Sequence, residues 1–182
     1  MRGRSARGWF GWLALALLGS ACARGPAPAS IDLTAALPSA ERRALGPPDE
    51  AIRAATASRD RLERPAILTN APARVLFAVR MPARARLHTA VSIVAGSGAG
   101  VTIRIGISDN RSYDELEKLL VAPPADGADP WHAVDVDLAA YSGWQWSVFY
   151  HPGRMTWRLV FNADPTPGGR VAWLEPTIEM RQ

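Results

Sequence analysis

The chain has 182 residues, 21 basic and 17 acidic side chains, a formal net charge of +4 and a single cysteine. One cysteine cannot staple a fold, so stability must come from a packed core. So small a net charge gives no ground for a nucleic-acid partner, which would require a concentrated basic face.

Residues 1–21 carry Arg2, Arg4 and Arg7, an apolar run from Trp9 to Leu18, and then the small residues Gly19, Ser20 and Ala21. This is the pattern of a secretory signal peptide, too short to span a bilayer comfortably as a helix. Its removal would lower the formal charge to +1 and deliver an exported chain. Cys22 follows directly, and Leu18-Gly19-Ser20-Ala21-Cys22 resembles the lipidation site of bacterial lipoproteins. The resemblance implies acylation of Cys22 and a periplasmic or outer-membrane-anchored protein, held by more than one acyl chain because a single chain binds only marginally. Gly19 departs from that pattern, which usually has a large aliphatic there, and ordinary cleavage after Ala21 or Ala23 is the alternative.

Ala23 to Ser30 reads as a Pro- and Ala-rich tether. Ile31 to Pro38 has the makings of one helical turn, and Glu41 to Glu50, with Gly46-Pro47-Pro48, reads as loop. The division expected is therefore signal peptide 1–21, tether and loop 22–49, and one β-sandwich domain over 50–182, long enough for a real core.

Short alternating segments follow. Val75, Phe77 and Val79 form one apolar face, Leu87, Thr89, Val91 and Ile93 the next, and Val101, Ile103, Ile105 and Ile107 the cleanest, with Thr102, Arg104, Gly106 and Ser108 between them. The glycine run Gly96 to Gly100 lacks the spacing and the following helix of a phosphate loop, and reads as a hairpin connection. Ser112 to Val121 allows either a short helix, capped by Ser112 with Glu115, or a strand. Val134, Val136 and Leu138 alternate again, and Val171 to Met180 supplies a last strand interrupted by Pro176. Strands recurring this way without βαβ units indicate an all-β, antiparallel sandwich with at most one or two short helices.

Trp131 to Phe161 holds four of the seven tryptophans. With His151-Pro152-Gly153-Arg154 as a turn, a hairpin would pair Tyr150 with Met155, Val148 with Trp157, Trp146 with Leu159 and Trp144 with Phe161. That pairing turns the indoles into core filler and leaves Arg158, Val160 and Asn162 facing water.

Charge is unevenly spread. Arg42 to Arg86 holds ten arginines against four acids, and Asp109 to Asp137 eight acids against Arg111 and Lys118. Two halves that neutralise each other account for this; a basic face against anionic lipid or polysaccharide is the functional alternative. His88, His132 and His151 lack metal-ligand spacing. Asp135 and Asp137 share a strand face, roughly 6 to 7 Å apart by strand rise. Such a pair suits a hydrolase or an oxygen-bound cation, but a solvated face or salt bridges to the basic half is the more ordinary account of exposed acids. Asp109, Asn110 and Asp114 form a second, looser oxygen cluster. Strand parity places Trp131 on the Asp135 and Asp137 side, where an exposed indole beside acids would suit a sugar ring. Tyr141, Tyr113 and Arg111, near strand ends, complete the candidate ligand-binding set.

Trp131-His132-Ala133-Val134-Asp135-Val136-Asp137-Leu138, then Tyr141 and Gly143, then Trp157-Arg158-Leu159-Val160-Phe161, then a closing strand with Trp173 and Pro176, resembles the galactose-binding-like jelly roll over roughly residues 50–182. That group includes many carbohydrate-binding modules. The resemblance implies a sandwich, a ligand, where there is one, on loops at one end, and a structural calcium as a common feature. It implies a non-catalytic envelope protein binding a glycan or a protein partner; a purely structural or assembly lipoprotein is the alternative, and a hydrolase using Asp135 and Asp137 a third.

Overall fold

A computed structural model describes residues 30–95, 100–123, 131–142, 157–164 and 169–180. In chain order the elements are β1 (Ser30–Asp32), α1 (Leu33–Ala36), β2 (Glu41–Ala44), α2 (Pro48–Ala51), β3 (Ile52–Arg59), β4 (Leu62–Asn70), β5 (Ala73–Val79), β6 (Ala85–Ala95), β7 (Val101–Ser108), β8 (Tyr113–Val121), β9 (His132–Asp137), β10 (Trp157–Ala163) and β11 (Arg170–Met180). They form two antiparallel sheets, a six-stranded one ordered β3-β4-β11-β6-β9 with β1 also on β11, and a five-stranded one ordered β2-β5-β10-β7-β8.

Period-two alternation explains the core. Val75, Phe77 and Val79 of β5, Ile103, Ile105 and Ile107 of β7, and Leu87, Val91 and Ile93 of β6 are all buried in one cluster between the sheets. At its centre Phe161 stacks on Trp173 with ring centroids 4.6 Å apart, and Phe77 meets Phe161 edge-on at 5.6 Å. The Trp173 indole N–H donates to Thr69 Oγ1 at 3.1 Å, which satisfies a polar group that burial would otherwise penalise.

The sandwich reaches further back than the expected boundary at residue 50. Asp32 Oδ1 accepts from the N–H groups of Thr34 and Ala35, capping α1 as the helical turn foreseen there. Leu33 and Leu37 are buried in the core, β1 pairs with β11, and β2 pairs with β5. Residues 30–49 are thus part of the folded sandwich, and Glu41 to Glu50 contains a strand and a helical turn where a loop was expected. Two apolar plugs and two backbone ladders outweigh the loop-like local composition.

Other expectations change in instructive ways. Ser112 to Val121 resolves as strand β8, because Leu116 and Leu119 pack against the core while the ladder to β7 runs from Val101–Val121 to Ser108–Tyr113. β6 and β7 belong to different sheets and so are not the paired strands of a hairpin; residues 96–99 of the glycine run lie outside the described residues. The aromatic hairpin also fails where it can be read. Leu159 lies between Phe77 and Ile107, and Phe161 between Val75 and Ile105, so both edges of β10 are taken by β5 and β7. Trp144, Trp146, Val148, Tyr150 and Met155 lie outside the described residues, whereas Trp157 is half-buried against the core as expected. Pro176 sits at the register shift of β11 beside Glu175, whose φ is 44°, a bulge that spares the ladder the missing N–H.

Candidate functional site

Residues opposite one another in a ladder share a face, so the side chains of the five-stranded sheet that avoid the core form rows across the strands. One row runs Arg43, Arg74, Asn162, Arg104 and Lys118. The next runs Glu41, Leu76, Val160, Gly106 and Glu115, with Val160 buried and Leu76 half-buried as an apolar centre. Arg158, Ser108 and Tyr113 belong to a third.

Tyr113 ties the rows together. A Cβ built on Gly106 would clash with the Tyr113 ring and hydroxyl, so the ring lies over the one described strand position without a side chain. It keeps 44% of its surface exposed. Its hydroxyl accepts from Asn162 Nδ2 at 3.4 Å, and Asn162 Oδ1 in turn accepts from Arg74 Nε at 2.6 Å. Burial, reinforced by the Glu115 charge, pushes the Tyr113 phenol above its ordinary value. The hydroxyl therefore keeps its proton and can donate it to an incoming oxygen.

Ion pairs frame the ring. Arg104 reaches Asp164 at 2.7 Å and Glu115 at 3.7 Å, and the Asp164 hydrogen bond, followed by its charge, holds the guanidinium more firmly protonated than usual. Glu41 accepts from Arg43 and, at 2.8 Å, from Arg158; the Arg43 hydrogen bond is the largest cause of its lowered pKa. The result is a face with a half-exposed aromatic ring, an amide, several guanidinium groups and carboxylates, all anchored on strands. Such a surface can stack against a sugar ring and hydrogen-bond its hydroxyls.

Of the six ligand residues expected from the sequence, only Tyr113 lies on this face. Trp131 stands on the opposite sheet, on the side parity assigned to it, but is only 9% exposed. The reason is the alanines beneath: its indole packs on Ala57, Ala66, Ala90, Ala172 and Leu174, and its N–H donates to the Ser58 carbonyl at 3.3 Å. Large side chains there would have held the ring up into solvent. Asp135 is engaged by Arg86 at 2.6 Å and by His88 Nδ1 at 3.3 Å, a pairing that also joins the basic and acidic halves of the chain. Asp137 Oδ1 accepts from the Ala139 N–H at 2.8 Å and so caps a turn, which leaves the two aspartates with different protein partners. Tyr141 packs edge-on against Trp157 at 5.2 Å and donates to Asp114 Oδ2 at 3.2 Å, while burial, then that hydrogen bond, raises its pKa.

Arg111 lies in the β7–β8 loop, where its backbone N–H donates to Asp109 Oδ1. The same oxygen accepts from the N–H and hydroxyl of Ser112, and the Ser112 and then Arg111 backbone bonds hold the Asp109 carboxyl below the usual range. Asp109 Oδ1 is therefore occupied by three protein donors of its own loop. Among the described residues no group of three His, Cys, Asp or Glu side chains gathers to hold a metal.

No family model matches the chain, and no curated protein matches it in sequence. Solved structures do match in fold. One is TmCBM61 in complex with β-1,4-galactotriose, at TM-score 0.53 and 10% identity, covering 82% of this chain and 94% of that one. Another is the K1 cleaved adhesin domain of Lys-gingipain from Porphyromonas gingivalis W83, at TM-score 0.57 and 12% identity, covering 84% and 98%. At such identities the likeness is one of fold, an antiparallel jelly-roll β-sandwich shared with both structures.

Proposed function

We propose that this is a non-catalytic glycan-binding protein of the bacterial cell envelope, exported by residues 1–21 and tethered to a membrane through acylated Cys22. The binding face is that of the five-stranded sheet. The observation that carries the reading is the Tyr113 ring, seated over Gly106 and left 44% exposed among Arg74, Asn162, Arg104 and Glu115. A half-exposed phenol supported from below and hydrogen-bonded at its hydroxyl is pre-organised for stacking, so little order is lost on binding. A fold shared with a module solved with β-1,4-galactotriose supports the choice of ligand class. The non-catalytic assignment rests on Asp135 and Asp137, both committed to protein partners.

Screening the purified protein against a glycan array, followed by calorimetric titration of the strongest hit, tests the reading. Micromolar to millimolar binding that Tyr113→Ala abolishes supports it. If no glycan binds at all, the assembly-lipoprotein alternative becomes the better description.

A further inference from the structure

We infer that the ligand of this face is acidic: a uronate-bearing polysaccharide whose chain crosses the strands above the row Arg43, Arg74, Asn162, Arg104 and Lys118. The inference rests on the glycan-binding reading and names the substrate class. Ladder register brings one residue from each of the five strands into this row, and four of the five are cationic. Arg43 stands directly opposite Arg74, and Arg104 directly opposite Lys118. Like charges facing each other across a ladder destabilise a sheet, so folding alone gives no reason to align them.

The local acids do not complete the neutralisation. Glu41 is shared between Arg43 and Arg158, and Asp164 and Glu115 both serve Arg104. Across this face five cations, Arg158 included, meet three acids. Among the described residues Arg74 has no carboxylate partner: its Nε donates to Asn162 Oδ1 at 2.6 Å, and the same amide donates to the Tyr113 hydroxyl, so the guanidinium is oriented by a neutral group. A planar, oriented guanidinium fork is the side chain that recognises a carboxylate in bidentate fashion. With strands about 4.8 Å apart, the row spans roughly 19 Å and presents a side chain at each strand spacing. That interval is comparable to the advance of one sugar along an extended polysaccharide, so successive uronates can meet successive cations while one ring stacks on Tyr113.

The test uses matched probes: oligogalacturonate and oligoalginate hexamers, each with its fully methyl-esterified, neutral counterpart, and a single-stranded oligonucleotide as an unrelated polyanion, all titrated calorimetrically into the full-length exported protein. The expected result is that at least one acid form binds about tenfold or more tighter than its ester, a preference that weakens with salt. Arg74→Gln should weaken acid binding far more than ester binding and so collapse the preference, and Lys118→Gln should reduce it in part. Equal binding of acid and ester overturns the inference and leaves the glycan reading standing. Failure of every saccharide to bind overturns both. Equal or tighter binding of the oligonucleotide also overturns it, since the row would then act as a general anion surface.

Discussion

Replacing Trp131 with alanine separates the two faces of the sandwich. The indole is 9% exposed and covers Ala57, Ala66, Ala90, Ala172 and Leu174 on the outer side of the six-stranded sheet. Alanines on a hydrogen-bonded sheet cannot move up to fill the space an indole leaves, so the variant keeps most of the cavity. A Trp-to-Ala change of this kind costs about 3 to 5 kcal/mol. For a domain of this size that corresponds to a fall in Tm of roughly 6 to 20 °C. Trp131→Phe retains most of the apolar contact and loses the bond to the Ser58 carbonyl, for a cost of about 1 kcal/mol. Urea unfolding and calorimetry of both variants supply the stability change, and glycan titration of Trp131→Phe supplies the binding change. The account expects lower stability with unchanged glycan affinity. Trp131→Ala with parental stability and no glycan binding would refute it, because the indole would then be a recognition residue and not a structural lid.

Four further outcomes are expected. Gly106→Val should displace the Tyr113 ring, with which a Cβ there would clash, and lower glycan affinity about five- to tenfold through a lost stacking contact of about 1 to 1.5 kcal/mol, with urea unfolding showing the fold intact. Glu41→Gln should lower Tm near neutrality. Because the folded carboxyl is held below the usual carboxylate range by Arg43, then Arg158, the parent's advantage should shrink as pH falls through that lowered range, and pH-dependent melts of the two proteins check this. Asp135→Asn should cost no more than about 1 kcal/mol in urea unfolding, because its partners Arg86 and His88 are both partly exposed, and should leave glycan binding unchanged. Cys22→Ser should move the protein from the membrane to the soluble fraction of cells, with acyl groups on Cys22 of the parent detectable by mass spectrometry.

Alternation made the sandwich legible before any coordinates. Val101, Ile103, Ile105 and Ile107 need only a period of two to be read as one buried face, and the same holds for Val134 and Val136. Strand order was not legible, because a period says which face is apolar and not which strand lies alongside. A hairpin with the preceding aromatic run fits the period of β10 equally well, yet its partners are β5 and β7. The candidate binding face was hidden for the same reason. Arg43, Arg74, Arg104, Lys118 and Asn162 come from five strands scattered along the chain, and only the ladder register aligns them.

Two local signals did point to it. Gly106 interrupts an otherwise regular strand, which marks a position where something approaches the backbone closely, and that something is Tyr113. Arg104 stands between buried isoleucines, a place where a cation must be facing a partner or solvent. Trp131 shows the opposite limit: parity assigned its face correctly, but exposure depended on the size of neighbours from β3, β4, β6 and β11.

Backbone amide NMR during titration with the strongest array hit tests the central claim most directly. The account predicts that shifts concentrate at Arg74, Arg104, Gly106, Tyr113 and Asn162. Shifts concentrated instead on β6 and β9 around His88, Asp135 and Trp131 would contradict it and move recognition to the other sheet.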